Sequence, residues 1–382
     1  MGYQETETER IIKDAGMVHE VRRNENVGIP SAVTFWGIRT DCADINRQLQ
    51  GMLPGQLISS PGFECVYRTA PFLSPDETVR QEMAAVKVNL AAILDVLDPE
   101  DRTPEVLSVG CGTPPFAHYG KAIAEMMGLG DIEVIESNLA CNSGARAMQR
   151  ILEEPRYAGK RAIVVGIEGM TRLIADPKLN LAKADPFSLQ AFGNGIGAVS
   201  FIPERDISLV QSISLSEEDT EGNLTARPTY LIDPEGPLIQ ISGSIEKTKL
   251  PIPEEEGKII HIKPTGTSKM FIRAAEATVD NLLTGYREQI ASGTVQDKPI
   301  RLVAAHHPSR GVWDIFMKKL ERKGIPAESC PWIVPEGNLS GATSTVALCR
   351  LLPVLSPGDR IILLGYGAGW SSSGMICDIG GK

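Results

Sequence analysis

Cysteine pairs are missing from this chain. Seven cysteines, at positions 42, 65, 111, 141, 330, 349 and 377, are scattered through 382 residues and none forms a C-x-x-C pair. That spacing argues against a zinc site and against a disulfide framework, so a cysteine with a special role here is special for its reactivity. No stretch is as long and apolar as a membrane span requires. The opening Met1-Gly2-Tyr3-Gln4-Glu5-Thr6-Glu7-Thr8-Glu9 has no basic region leading into an apolar core. It therefore does not read as a secretory signal, and the expected location is the cytoplasm. Positive charge is in deficit, with 38 Lys and Arg against 48 Asp and Glu and a net charge of −10. Nucleic acid and anionic membrane surfaces need a concentrated basic face, so neither is an expected partner.

What remains is a globular composition, 42% hydrophobic and 23% charged, long enough for one large or two medium domains. Residues 1–30 are polar and read as an N-terminal extension. From Ser31 onward, β-rich runs alternate with helical patterns. Ala32–Gly37, Val106–Gly110 and Glu133–Ser137 read as strands, and Glu77–Val96 and Tyr119–Met127 as helices. The alternation predicts an α/β fold with helices against the sheet.

Two stretches resemble each other. Asn138-Leu139-Ala140-Cys141-Asn142-Ser143-Gly144-Ala145 opens a helix and the strand Arg161–Gly166 follows; Asn338-Leu339-Ser340-Gly341-Ala342 opens another, followed by Arg360–Gly365. The spacings are 20 residues from Cys141 to Arg161 and 22 from Asn338 to Arg360. A duplicated unit of this kind predicts two similar halves, with Cys141 and Asn338 facing one another across the seam. Each polar residue sits at a turn into a helix, where unpaired N–H groups and the dipole favour negative charge.

That position suits a nucleophile. A cysteine at a helix N-terminus has its thiolate stabilised, and Cys141 fits the pattern. Cys111, in Val109-Gly110-Cys111-Gly112, is the second candidate, against a plain reading as a small residue at a strand end. The strand Arg301–Ala305 ends in His306-His307, two of only five histidines, at the strand end where open α/β sheets place their sites. Asn338 is either a helix cap or a site residue. Phe192-Gly193-Asn194-Gly195 is glycine-rich but precedes a strand and lacks the lysine of a phosphate loop. Gly365-Tyr366-Gly367-Ala368-Gly369 is a turn able to aim a backbone N–H at an oxyanion.

Together these motifs resemble the beta-ketoacyl-ACP synthase III group of the thiolase superfamily, over roughly residues 31 to 382. Ala140-Cys141, Phe192-Gly193-Asn194-Gly195, His306, Gly337-Asn338-Leu339-Ser340 and the final glycine turn occur in the family's order. His306 stands fourteen residues before Leu320 of Lys318-Lys319-Leu320, as the family's catalytic histidine does, which favours it over His307. The resemblance implies a thiolase fold, with duplicated halves in a five-layer αβαβα sandwich. It places one half at 31–205, a connecting region at 206–260 and the second half at 261–382. It also implies a catalytic set of Cys141, His306 and Asn338, and an oxyanion hole from the N–H groups of Cys141 and Ala368. Phe116, 25 residues before Cys141, corresponds to a phenylalanine that floors the partner's acyl pocket, which implies a homodimer. The implied substrates are acyl-CoA or acyl carrier protein thioesters, with no cofactor. The implied reaction is decarboxylative condensation of acyl-Cys141 with a malonyl-type thioester. Acyl transfer to an alcohol or amine, non-decarboxylative condensation, thioester hydrolysis and a non-catalytic partner subunit are the alternatives. The family's Trp-x-x-x-Arg clamp for coenzyme A is absent from Ser60–Arg68, where Glu64 stands near the place of the first arginine.

Overall fold

The computed structural model describes residues 17–23, 26–54, 58, 60–69, 75–97, 103–173, 186–215, 239–242, 259–262, 264–367 and 371–380. The first part of the chain runs β1 (Val18–Arg23), β2 (Pro30–Phe35), β3 (Ile38–Asp41), α1 (Cys42–Met52), β4 (Cys65–Arg68) and α2 (Pro75–Val96). Next come β5 (Val106–Cys111), α3 (Tyr119–Met126), β6 (Glu133–Ser137), α4 (Ser143–Glu153), β7 (Ala162–Gly169), α5 (Pro186–Ala191), β8 (Asn194–Phe201) and β9 (Ile207–Leu215). The remainder is β10 (Ile239–Ser242), β11 (Ile259–Ile262), α6 (Pro264–Ala291), β12 (Ile300–Ala305), α7 (Arg310–Arg322), α8 (Thr343–Leu351), β13 (Arg360–Tyr366) and β14 (Ser372–Ile379).

Two sheets dominate. One has the order β1-β2-β8-β7-β5-β6 and the other β12-β13-β14-β9, and their central strands are buried along both faces. Side chains of a strand alternate between faces, and here the alternation divides the core cleanly. Val106, Val164 and Val199 of the first sheet share one apolar cluster with Leu302, Ala304, Ile361 and Leu363 of the second. Their neighbours Leu107, Ile163, Val165 and Ala198 face a separate cluster with α2 and α3. Val303, Ala305, Ile362 and Leu364 face a third with α6 and α7. Between the sheets lie α4 and α8, whose Ala145, Met148, Ile151, Val346 and Leu348 belong to the shared cluster. The order is helix, sheet, helix, sheet, helix: the five-layer sandwich with duplicated halves.

The inner helices approach too closely for larger residues. A Cβ on Gly144 would lie 2.4 Å from the Gly341 carbonyl oxygen, so one half would have to retreat from the other. Gly144→Ala is expected to destabilise the fold by about 1–3 kcal/mol, as overpacking does; an unchanged midpoint in urea denaturation would show that the seam yields freely.

Two boundaries differ from the sequence reading. Val18–Arg23, within the stretch read as an extension, is the edge strand β1, paired antiparallel to β2. Its polar Val-His-Glu-Val-Arg-Arg sequence carries no buried stripe; the pairing comes from the β2 backbone, supported by His19 Nδ1 against Thr34 Oγ1 at 2.7 Å and Arg350 donating to Glu20 at 2.8 Å. The region 206–260 opens with β9, which pairs with β14 and so belongs to the second sheet. At its far end β10 pairs antiparallel with β11, which runs past residue 260 to Ile262.

Candidate active site

Cys141 follows β6 in a short 3-10 turn, Ala140–Asn142, that runs directly into α4. The turn depends on a left-handed residue, Ala140 at φ 46°. Ser143 holds it from below: its hydroxyl accepts from Leu139 N at 2.8 Å and donates to the Ala140 carbonyl at 2.7 Å. Two hundred residues later the same device recurs. Ser340 has φ 43°, the turn is Ser340–Ala342, and Thr343 Oγ1 accepts from Leu339 N at 3.1 Å. The structural twins are thus Ala140 with Ser340 and Cys141 with Gly341. Asn338 is the twin of Asn138 rather than of Cys141, a register sharper than the near-equal strand spacings indicated.

The two turns meet. Ser340 Oγ lies 3.6 Å from Cys141 Sγ. The Asn338 side chain is oriented at both ends: its oxygen accepts from Ser340 N at 2.8 Å and its NH2 donates to the Pro308 carbonyl at 3.4 Å. That places the amide against His306-His307-Pro308, the segment that leaves β12. His306 N continues the sheet ladder to Leu364 O at 3.0 Å, and Tyr366 donates its hydroxyl to the His306 carbonyl at 2.7 Å. The His306 ring packs between Phe271 and Tyr366, with centroids 5.7 and 5.4 Å away. Cys141 belongs to the same apolar cluster as Phe271 and Tyr366. Cys141 and Asn338, read from separate motifs, both meet Ser340, and the Asn338 amide reaches the Pro308 carbonyl two residues after the buried His306.

Neither nitrogen of His306 or His307 has a hydrogen-bond partner among the described residues. Burial drives the His306 imidazole down to about 3. It also holds His307 well below its usual range, reinforced by His306 and Arg310. Both rings are neutral at any ordinary pH, and a neutral ring offers one N–H donor and one acceptor. His307 is clamped between Trp313 and Trp332, centroids 4.3 and 4.8 Å away, which marks it as packing.

Neutral buried histidines have a cost in acid. The unfolded chain protonates them below about pH 6.5 while the fold does not, so stability is full above that pH. It falls as pH drops toward 3, by up to about 1.4 kcal/mol per pH unit for each ring. His307→Phe, which can occupy the same aromatic slot without titrating, is expected to flatten the loss. Urea midpoints followed from neutral pH to mild acid test this; identical slopes in variant and parent would refute it.

Cys111 lies elsewhere, in the outer cluster with α2 and α3. Burial pushes Cys42 up to about 11, and Cys330 and Cys349 to about 12, and it raises Cys377 further. Such thiols are inert. Phe116 is 40% exposed and rests edge-on against Tyr119. Ala368 lies outside the described residues. Its neighbour Gly367 does come close: a Cβ there would lie 2.8 Å from Cys141 N.

Sequence reasoning missed Glu168. Fully buried at the end of β7, its carboxylate accepts from Gly112 N at 3.0 Å, Gly341 N at 3.2 Å and the Thr113 hydroxyl. It ties the Gly341 turn of the second half to the first half beneath Ala140. The signal was a lone acid in Ala-Ile-Val-Val-Gly-Ile-Glu-Gly, a strand otherwise apolar.

Residues 290–379 match the family described as 3-oxoacyl-[acyl-carrier-protein (ACP)] synthase III C terminal. No curated protein sequence matches the chain. Solved structures match almost its whole length. The 3-oxoacyl-[acyl-carrier-protein] synthase III of Aquifex aeolicus is 13% identical, covering 94% of this chain and 98% of its own, with a TM-score of 0.63. The 1,3,6,8-tetrahydroxynaphthalene synthase of Streptomyces coelicolor, a bacterial type III polyketide synthase, is 15% identical over 91% and 98%, with a TM-score of 0.67. An OleA variant of Xanthomonas campestris is 16% identical over 94% and 97%, with a TM-score of 0.65. These likenesses establish a thiolase-type fold. Among the described residues, no helix is long and apolar enough to cross a membrane.

Proposed function

From a chain with a synthase III-type C-terminal segment and the fold of the condensing enzymes, we propose an acyltransferase. It loads an acyl group onto Cys141 and condenses it with a malonyl-type thioester, with loss of CO2. The observation that carries this reading is that a helix-start cysteine and an anchored asparagine amide both meet Ser340, with a neutral histidine two residues before the carbonyl that the amide contacts. In the first half-reaction, the Cys141 thiolate attacks the acyl thioester carbonyl. The tetrahedral oxyanion is held by the N–H groups of Cys141 and Ala368, and the carrier thiolate leaves.

The second half-reaction uses the other two residues. The malonyl thioester oxygen takes hydrogen bonds from the His306 N–H and the Asn338 NH2, so that electrons released by decarboxylation collect on an oxygen already facing two donors. The resulting carbanion forms a C–C bond to the acyl carbonyl, the Cys141 thiolate is expelled, and a beta-ketoacyl thioester departs. A neutral His306 suits this role, since it donates without titrating. Coenzyme A and acyl carrier protein thioesters are the candidate donors. The missing clamp at Ser60–Arg68 leaves the adenine end of coenzyme A without its family contacts, which favours a carrier protein. The exposed Phe116 fits a homodimer in which a second copy covers it.

The test is intact mass spectrometry after incubation with a panel of acyl-CoA and acyl carrier protein donors, followed by malonyl thioester. Expected are a one-acyl adduct and its discharge as a beta-ketoacyl product. No adduct with any donor would end the covalent reading. An adduct discharged only by an amine, an alcohol or a second acyl chain would replace condensation with one of the other acyl transfers.

A further inference from the structure

The reading of Cys141 as nucleophile leaves open what steadies its thiolate, because the neutral His306 is no counter-ion. The helix start at Ser143 supplies part of the answer. We propose that Ser340 is a further catalytic residue, whose hydroxyl donates a hydrogen bond to the Cys141 sulfur when it is the thiolate.

The geometry is built for that contact. Ser340 is buried, 199 residues from Cys141 in sequence, and its Oγ lies 3.6 Å from the sulfur, within reach for sulfur as acceptor. A thiolate has no proton, so the hydroxyl can only be the donor. Ser340 is also one of four non-glycine residues at positive φ among the described residues. Backbone strain of this kind persists where the surroundings over-determine it. Here they do: Ser340 N is held by Asn338 Oδ1 at 2.8 Å and the following Gly341 N by Glu168 at 3.2 Å. The strained turn aims the hydroxyl across the seam, and the bond from its N–H orients Asn338. One residue thereby links the nucleophile to the amide that handles the second substrate.

The consequence for the chemistry is double. No proton is transferred; the hydroxyl keeps its own. The bond is strongest while the sulfur carries charge and weakens when Cys141 becomes a thioester. Ser340 therefore favours Cys141 both as attacking group in acylation and as leaving group in condensation.

The twin turn provides the control. Ala140 occupies the equivalent position at φ 46°, so alanine is compatible with this backbone and Ser340→Ala should fold. Iodoacetamide alkylation of Cys141, read by peptide mass against pH, needs no acyl substrate. In Ser340→Ala the apparent thiol pKa is expected to rise by about one unit, with the rate near pH 7 falling about tenfold and the high-pH plateau unchanged. Ser340→Gly relieves the backbone while also removing the hydroxyl and should match Ser340→Ala. A pH profile identical to the parent, or a glycine variant that behaves like the parent, overturns the proposal. A parent in which Cys141 resists alkylation altogether instead overturns the nucleophile reading, so the two failures are distinguishable.

Discussion

Cys141→Ala is expected to abolish the acyl adduct in the intact mass and to reduce condensation by at least about 10⁴-fold, the scale seen when a covalent nucleophile is removed. The size of the effect follows from the absence of an understudy. Cys330, Cys349 and Cys377 are buried thiols pushed to about 12 or beyond, and Cys111 packs on the outer face of the first sheet. None stands at the turn that starts α4, and the Cys349 thiol is engaged with Ala198 O at 3.2 Å. An adduct that survives in Cys141→Ala would move the nucleophile and with it the whole mechanism.

The second large effect concerns His306 and Asn338. His306→Ala and Asn338→Ala are each expected to slow decarboxylative condensation by about 10²–10³-fold, the value of one donor to a developing oxyanion. Acylation of Cys141 should survive in both, because neither residue is assigned to that step. The double variant should lose less than the product of the two, since both donors face one oxygen. Asn338→Asp keeps the acceptor for Ser340 N but replaces the donor with a negative charge, and should be at least as damaging as alanine. The pH dependence separates this scheme from one in which His306 works as an imidazolium. With its pKa near 3, condensation should show no acid limb near the ordinary histidine value of about 6.5. A limb at that pH that disappears in His306→Gln would contradict the neutral-donor role. Rates with malonyl thioester, measured on pre-acylated protein, supply the comparison.

These outcomes rest on residues that differ in how readable they were. Elements with strong local patterning were legible almost to their ends. The sequence reading placed strands at Val106–Gly110 and Glu133–Ser137 and a helix at Glu77–Val96, and the structure has Val106–Cys111, Glu133–Ser137 and Pro75–Val96. β1 was not legible, because a polar edge strand buries no stripe and depends on β2 for its conformation. The repeat was visible as a similarity, but its register was not. The paired left-handed residues Ala140 and Ser340 define it, and a positive φ at alanine or serine leaves no compositional trace. Glu168 is by sequence one acid in an apolar strand, and only the fold gathers three donors from two turns around it.

By itself, then, the chain determined its alternation of strands and helices, a cysteine at a turn into a helix, a histidine at a strand end and an asparagine at a second turn. Each of these is carried by neighbours a few residues away, through side-chain period, turn chemistry and helix starts. Only the tertiary structure decided that Ser340 meets both the sulfur and the Asn338 amide, and that His306 is buried and neutral. Burial and long-range approach are properties of the packed layers: the imidazole loses its charge because it is wholly buried, with Phe271 and Tyr366 among its neighbours. The serine reaches Cys141 across 199 residues because small residues at Gly144 and Gly341 let the two inner helix starts touch.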